Sequence, residues 1–143
     1  MSISQLLVPN NFSLFISNST VTSKSASVAA TTTLTSANSG EIISLITNAG
    51  AVTLNLPALQ AGLNFNIFVQ HALANAVTIK SPSAVINGNV LSNDGTPIAT
   101  ITNKTNVILG TTSVIGDWFD ITCDGTLYYI VGATSVHGSV TTS

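Results

Sequence analysis

The chain has 143 residues, enough for one domain with a real core. Only 6% of residues are charged, Arg is absent and the net charge is −2, while 45% are hydrophobic. Three Lys residues cannot assemble the basic patch that nucleic-acid binding needs. No apolar run reaches the roughly 18 residues that span a bilayer, so membrane insertion is not expected.

The amino end, "MSISQLLVPNNFSLF", has neither a basic leader nor a continuous apolar stretch, so a signal peptide is not expected. Leu6, Leu7, Val8, Phe12, Leu14 and Phe15 make it apolar, and Pro9-Asn10-Asn11 places a turn in its middle. From Ser17 to Asn38 the chain becomes a Ser/Thr/Ala tract with little periodicity. An apolar peptide followed by a polar spacer suits an arm that docks on a neighbour. A first strand of the same domain is the equal alternative. The sequence thus divides into an extended N-terminal docking arm or linker, residues 1–38, and a domain over residues 39–143.

Beyond Asn38 the pattern is all-β. Short runs rich in Val, Ile, Thr and aromatics predict strands at Glu41–Thr47, Val52–Leu56, Leu63–Gln70, Ala76–Lys80 and Val85–Leu91. Four more are expected at Ile98–Thr102, Asn106–Leu109, Trp118–Cys123 and Leu127–Ala133. Asn48-Ala49-Gly50, Asn87-Gly88, Asp94-Gly95 and Asp124-Gly125 offer the positive φ of tight turns. Pro57 and Pro82 each close a run. Only Ala58–Gly62 and His71–Asn75 have room for a helical turn. About eight strands at this spacing predict a β-sandwich or barrel, with a jelly roll as first choice.

The stretch "GDWFDITCDGTLYYIVG", residues 116–132, holds the only Trp, the only Cys, both Tyr residues and three of the five acidic groups. A two-residue turn at Asp124-Gly125 would pair Cys123 with Thr126, Ile121 with Tyr128, Phe119 with Ile130, and Trp118 with Val131. Asp120 would then face Tyr129. Asp117 and Asp124 stand about 23 Å apart along one extended strand, too far to share a metal or a proton. Calcium would need roughly 6–8 clustered oxygens. A structural hairpin is expected, formed by Trp118, Phe119, Ile121, Asp124, Gly125, Tyr128 and Tyr129.

Elsewhere the chemistry is sparse. Cys123 has no disulfide partner and reads as a small buried hydrophobe. His71 and His137 lack a Cys or carboxylate at metal-ligand spacing, though symmetry could bring copies of one His together. No phosphate loop or hydrolytic constellation is visible, so neither enzymatic activity nor a cofactor is expected. The Asn- and Asp-rich "NGNVLSNDGTP" suits hairpin turns better than a sugar or ion site. Soluble monomers usually carry more charge, so so apolar a chain is expected to cover its surface with partners.

Three segments, "GAVTLNLPALQAGLNFNIFVQ", "NAVTIKSPSAVINGNVL" and "GDWFDITCDGTLYYIVG", resemble a pattern in structural proteins of double-stranded DNA viruses. Those proteins include tail fibres, phage decoration proteins and small capsid-associated proteins of large DNA viruses. In them a G-x-V-T-L-x-L-P strand leads to A-G-x-x-[FY]-x-[FI], and a G-D-x-x-x-[IL]-x-x-D-G-x-x-[WY]-x-[IV] hairpin closes the domain. The leader "LLVPNNFSLF" is also similar to the amino ends of such proteins from large eukaryotic viruses. The similarity spans roughly Gly40–Gly132 and rests mostly on turn and core positions. It implies a β-barrel or jelly-roll module, commonly a homotrimer, that binds a major capsid protein on the virion surface after assembly in the host cytoplasm. It implies no catalytic residues. A receptor- or glycan-binding head of a viral fibre, a function of another class, is the alternative. Leu127-Tyr128-Tyr129 departs from the pattern, which often has a polar residue before the aromatic.

Overall fold

The computed structural model describes residues 25–143 apart from 47, 94 and 96. Leu6, Leu7, Val8, Phe12, Leu14 and Phe15 lie outside the described residues, as does Asp94. The strands are β1 (Ser25–Val28), β2 (Thr32–Thr33), β3 (Ile42–Leu45), β4 (Val52–Asn55), β5 (Asn64–Val69) and β6 (Val77–Lys80). They continue with β7 (Ile86–Ser92), β8 (Pro97–Lys104), β9 (Asn106–Leu109), β10 (Trp118–Cys123), β11 (Tyr128–Thr134) and β12 (Val140–Thr142). Two sheets form a β-sandwich: β1-β3-β5-β10-β11-β7-β8 in one and β12-β9-β6-β4-β2 in the other.

All nine expected strands are present, Asn106–Leu109 and Trp118–Cys123 with the expected bounds and the other seven with an end shifted by one or two residues. Three further strands, β1, β2 and β12, were not expected, because each is short and built of Ser, Thr, Ala and Val. The first two lie in the tract read as an arm. There Val28 and Leu34 are buried, so the Ser/Thr/Ala stretch contributes to both sheets from Ser25 onward. No helix forms at Ala58–Gly62 or His71–Asn75. Among the described residues the helical element is a 3-10 turn at Ser36–Asn38.

The connections also differ from a jelly roll, whose two Greek keys are antiparallel. From β1 to β6, successive strands alternate between the sheets, so each sheet begins with three parallel strands. β11 and β7 are parallel as well. Parallel partners cannot be joined by a tight turn. The links are arches from one sheet to the other, and the periodicity of single strands does not reveal them.

Stacking in register produces apolar rows across the core. Leu54, Ile79 and Val107 form one, and Val52, Val77, Leu109 and Val140 another. From the larger sheet, Ile43, Ile67 and Phe119 run on to Gly132 and Val90, while Phe65, Ile121 and Ile130 run on to Gly88 and Ile101. Corners of successive arches are tied to each other. The buried Asn48 side chain donates to the carbonyls of Gly50 (2.8 Å) and Asn75 (3.1 Å) and accepts from the Asn75 amide (3.3 Å). Asn75 in turn donates its own side-chain NH2 to the Asn48 carbonyl. The Asn48 side chain, not Gly50, organises that turn.

Asn87-Gly88 is not a turn. Both residues lie inside β7, where the pairing with β8 slips between Ile86 and Gly88. Gly88 has φ +148, and a Cβ there would overlap the Ile130 carbonyl oxygen and stand 2.8 Å from its carbon. Glycine is required at this bulge. Gly132 is constrained differently: a Cβ would sit 2.5 Å from the Trp118 carbonyl oxygen and 2.7 Å from Phe119 Cδ1. Its missing side chain makes room for the Phe119 ring.

Candidate functional site: the hairpin and the outer face of the larger sheet

The β10–β11 hairpin forms with a register offset by two residues from the expected one. Cys123 pairs with Tyr128, Ile121 with Ile130, Phe119 with Gly132 and Trp118 with Ala133. The loop therefore has four residues, Asp124 to Leu127, and the Asp124 amide donates to the Leu127 carbonyl at 3.2 Å. Its cause is the Asp124 side chain. Oδ1 accepts from the amides of Thr126 (2.7 Å) and Leu127 (2.8 Å) and from the Thr126 hydroxyl (2.7 Å). An Asp that bonds backbone two and three residues on builds its own turn. Gly125 supplies φ +98 within it. An offset of two leaves every side chain on its expected face.

Tyr129 faces Thr122 rather than Asp120, and its hydroxyl donates to Asp124 Oδ2 at 3.0 Å. The Leu127 amide, then the Thr126 amide and hydroxyl, hold the Asp124 carboxyl well below its ordinary 3.8, with a smaller part from Tyr129. A lowered carboxyl stabilises the fold above its unfolded value and loses that contribution as pH falls towards the folded one. Asp124→Asn is thus expected to be less stable than the wild type above pH ~4, with the gap closing below it. Urea melts from pH 2 to pH 6 check this.

Tyr128 points the other way. It is fully buried, and its hydroxyl donates to the Pro57 carbonyl at 3.0 Å, joining the hairpin to the β4–β5 link. Burial first, and the nearby Cys123 thiol second, push its hydroxyl up to about 12. Folding stability contributed by a raised phenol is complete below the ordinary 10.0 and is lost as pH rises through 12. Tyr128→Phe is expected to cost about 1 kcal/mol at pH 7. That cost should shrink above pH 10, as urea melts at both pH values would show.

Asp117 closes a turn, its amide donating to the Val114 carbonyl at 3.2 Å. It is buried, Oδ2 accepting from the Val114 amide (3.1 Å) and Oδ1 from the Ser135 amide (2.7 Å). This carboxylate clamps the β9–β10 loop to the β11–β12 link. Cys123 is buried and free, as its sequence context suggested. His71 is exposed just beyond β5, and His137 Nδ1 lies 3.5 Å from Ser92 Oγ. Among the described residues no three His, Cys, Asp or Glu side chains are grouped to hold a metal.

What the strands do bring together is an apolar band on the outer face of the larger sheet. Phe68 and Trp118 are cross-strand partners, and the same row continues through Ala133 to Leu91. The next row runs Ile42, Asn66, Asp120, Val131 and Asn89. A third runs Asn64, Thr122, Tyr129 and Asn87. Ile42, Phe68, Leu91, Trp118, Tyr129 and Val131 are each 37–51% exposed. Across these three rows Asp120 is the one ionisable acid or base apart from the tyrosine. The sequence reading grouped Trp118 and Tyr129 with the hairpin but missed Ile42, Phe68, Leu91 and Val131. Their signal was period-2 alternation in which both faces are apolar.

Comparison with protein families, with curated proteins and with solved structures finds no match to the chain.

Proposed function

We propose that this is a non-enzymatic virion structural protein, a minor capsid, cap, cement or decoration subunit that forms a homotrimer. It docks on the capsid lattice through contacts with a major capsid protein. The observation that supports assembly most is the exposed band of Ile42, Phe68, Leu91, Trp118, Tyr129 and Val131 on a nearly uncharged sheet face. Contiguous exposed apolar surface marks interaction sites. At about 25 cal/mol per Å², a ~800 Å² apolar contact contributes about 20 kcal/mol before ordering and association costs. The jelly-roll-type viral resemblance supplies the virion context, and the sandwich is the part of it that the fold shares.

Phe68→Lys with Trp118→Lys tests the reading. Both residues are exposed in the single chain, so the β-sheet circular dichroism should persist while the trimer dissociates and particle incorporation falls at least tenfold. Undiminished incorporation would remove this face from the assembly. Deleting residues 1–38 cannot serve as the same test, because it also removes β1 and β2.

A second reading is favoured by the polar neighbours of the exposed aromatics. Asn87 is the register partner of Tyr129, Asn64 lies in the same row beyond Thr122, and Asn66 and Asn89 lie in the row between those of Tyr129 and Trp118, so amide donors and acceptors share the face with the exposed rings. This is the chemistry of a glycan-binding fibre head. A glycan array with the full chain separates the two: a defined hit abolished by Trp118→Ala supports the head, and a blank array supports the structural subunit.

A further inference from the structure

Six of the large apolar side chains exposed among the described residues make the band on the larger sheet. The other two, Ile115 (67% exposed) and Val136 (38%), stand apart from it on loops. Both loops lie at the same end of the sandwich. β5, β7 and β11 finish at that end and β10 begins there, so the 110–117 and 135–139 connections meet. One carboxylate fixes both. Asp117 receives the amides of Val114 and Ser135, the residues just before Ile115 and Val136. The Gly116 amide donates to the Val69 carbonyl (3.0 Å) and the Val69 amide to the Asp117 carbonyl (2.9 Å), which carries the β5–β10 ladder up to the residue after Ile115. The Val136 carbonyl accepts from the Ser139 amide and the Thr134 hydroxyl, each at 3.3 Å. Ile115 and Val136 thus stand on turns already ordered by folding, so a contact to them costs little further ordering.

Charge separates the two ends of the sandwich. Glu41 precedes β3, Lys80 and Lys104 close β6 and β8, and Asp124 opens the hairpin loop, all at the end opposite Ile115. At the Ile115 end the acid among the described residues is Asp117, which is buried and hydrogen-bonded, and none of them is a Lys. Asp94, in the β7–β8 connection, is outside that set. His71 and His137 are exposed at this end.

We infer that the Ile115 and Val136 end is the surface that docks on the shell, seated on an apolar, uncharged patch that the shell protein repeats. This rests on the reading of the chain as a trimeric virion subunit and names the part of it that meets the lattice. Two large side chains fall far short of the roughly 20–30 residues a side of a stable pairwise interface, so one such end does not hold a second copy. Three ends on one trimer, engaging a periodic surface together, gain about 10²–10⁴-fold over one. A membrane would be met without the Lys or Arg that draw a protein to anionic lipid. The charged end is left facing water.

Ile115→Asp with Val136→Asp in the full chain tests this. Both are exposed loop positions, so the circular dichroism and the trimer mass should be kept while particle incorporation falls at least ~10-fold. Ile115→Ser with Val136→Ser, which adds no charge, should lose incorporation in the same direction. Lys80→Glu, at the opposite end, should stay within ~2-fold of the wild type. Undiminished incorporation of the double variants as intact trimers would overturn the assignment, as would an equal loss in Lys80→Glu. Loss of the trimer mass would place these residues in the trimer contact instead. A six-chain wild-type species that the variant halves would assign the end to a second copy, and flotation with phosphatidylcholine vesicles that the variant abolishes would assign it to lipid; either overturns lattice docking. Failure of the virion reading shows in the wild type, which would itself stay out of particles, whereas failure of the docking end alone shows only in the variants.

Discussion

Gly88→Ala is expected to lower the unfolding free energy by about 4 kcal/mol, from positive-φ strain plus a forced shift of packed backbone. For a domain of this size that is a fall in melting temperature of about 10 °C. The cause is local: at φ +148 the new methyl group meets the main chain of Ile130, which cannot rotate away as a side chain would. Either β7 moves from β11, or the bulge is lost and Val90 no longer aligns with Gly132. Gly62→Ala is the control. It shares a positive φ of +87 but has open space around it, and should cost about 1 kcal/mol. Urea melts of the two variants decide the matter. Equal losses would mean that backbone conformation alone, and not the approach to Ile130, fixes this glycine.

Asp117→Ala is expected to cost about 3 kcal/mol, because two hydrogen bonds to a buried carboxylate are lost together. Asp117→Asn keeps one oxygen as acceptor and should cost about half as much. The loss should be felt locally too, as faster exchange at the amides of Val114 and Ser135, which the carboxylate receives. Retained protection at both amides in the Ala variant would show that the loops hold without the clamp.

These two residues also show why the sequence was legible in some places and opaque in others. Alternation and turn residues located the nine strands after Asn38, because inward apolar and outward polar positions are local information. Asp124-Gly125 was correctly placed in a turn. The turn's length was not, because it depends on which backbone amides the carboxylate captures. Gly88 was read as a turn residue for its positive φ. It has that φ inside a strand, where the determining neighbour, Ile130, is remote in sequence. The burial of Asp117 and its two amide partners was not legible, because those partners, at 114 and 135, belong to two loops that only the fold brings together.

The Ser/Thr/Ala tract was opaque for a different reason. β1 and β2 are edge strands with small side chains, so their partners in β3 and β4 determine them more than their own composition does. Parallel order was equally hidden, since an arch between sheets leaves no signature comparable to a hairpin turn. The outer face was half legible. Trp118 and Tyr129 stood out as aromatics, but only the register sets Phe68 beside Trp118 and Leu91 beside Ala133, making scattered residues one band.

That band carries the functional account, and the mass of the purified full-length protein in solution tests it most directly. Static light scattering at micromolar concentration should give three times the 14.6 kDa chain mass, with Trp118 fluorescence shifted to the blue as its indole leaves water. A stable species of 14.6 kDa whose tryptophan emits as a hydrated indole would contradict it.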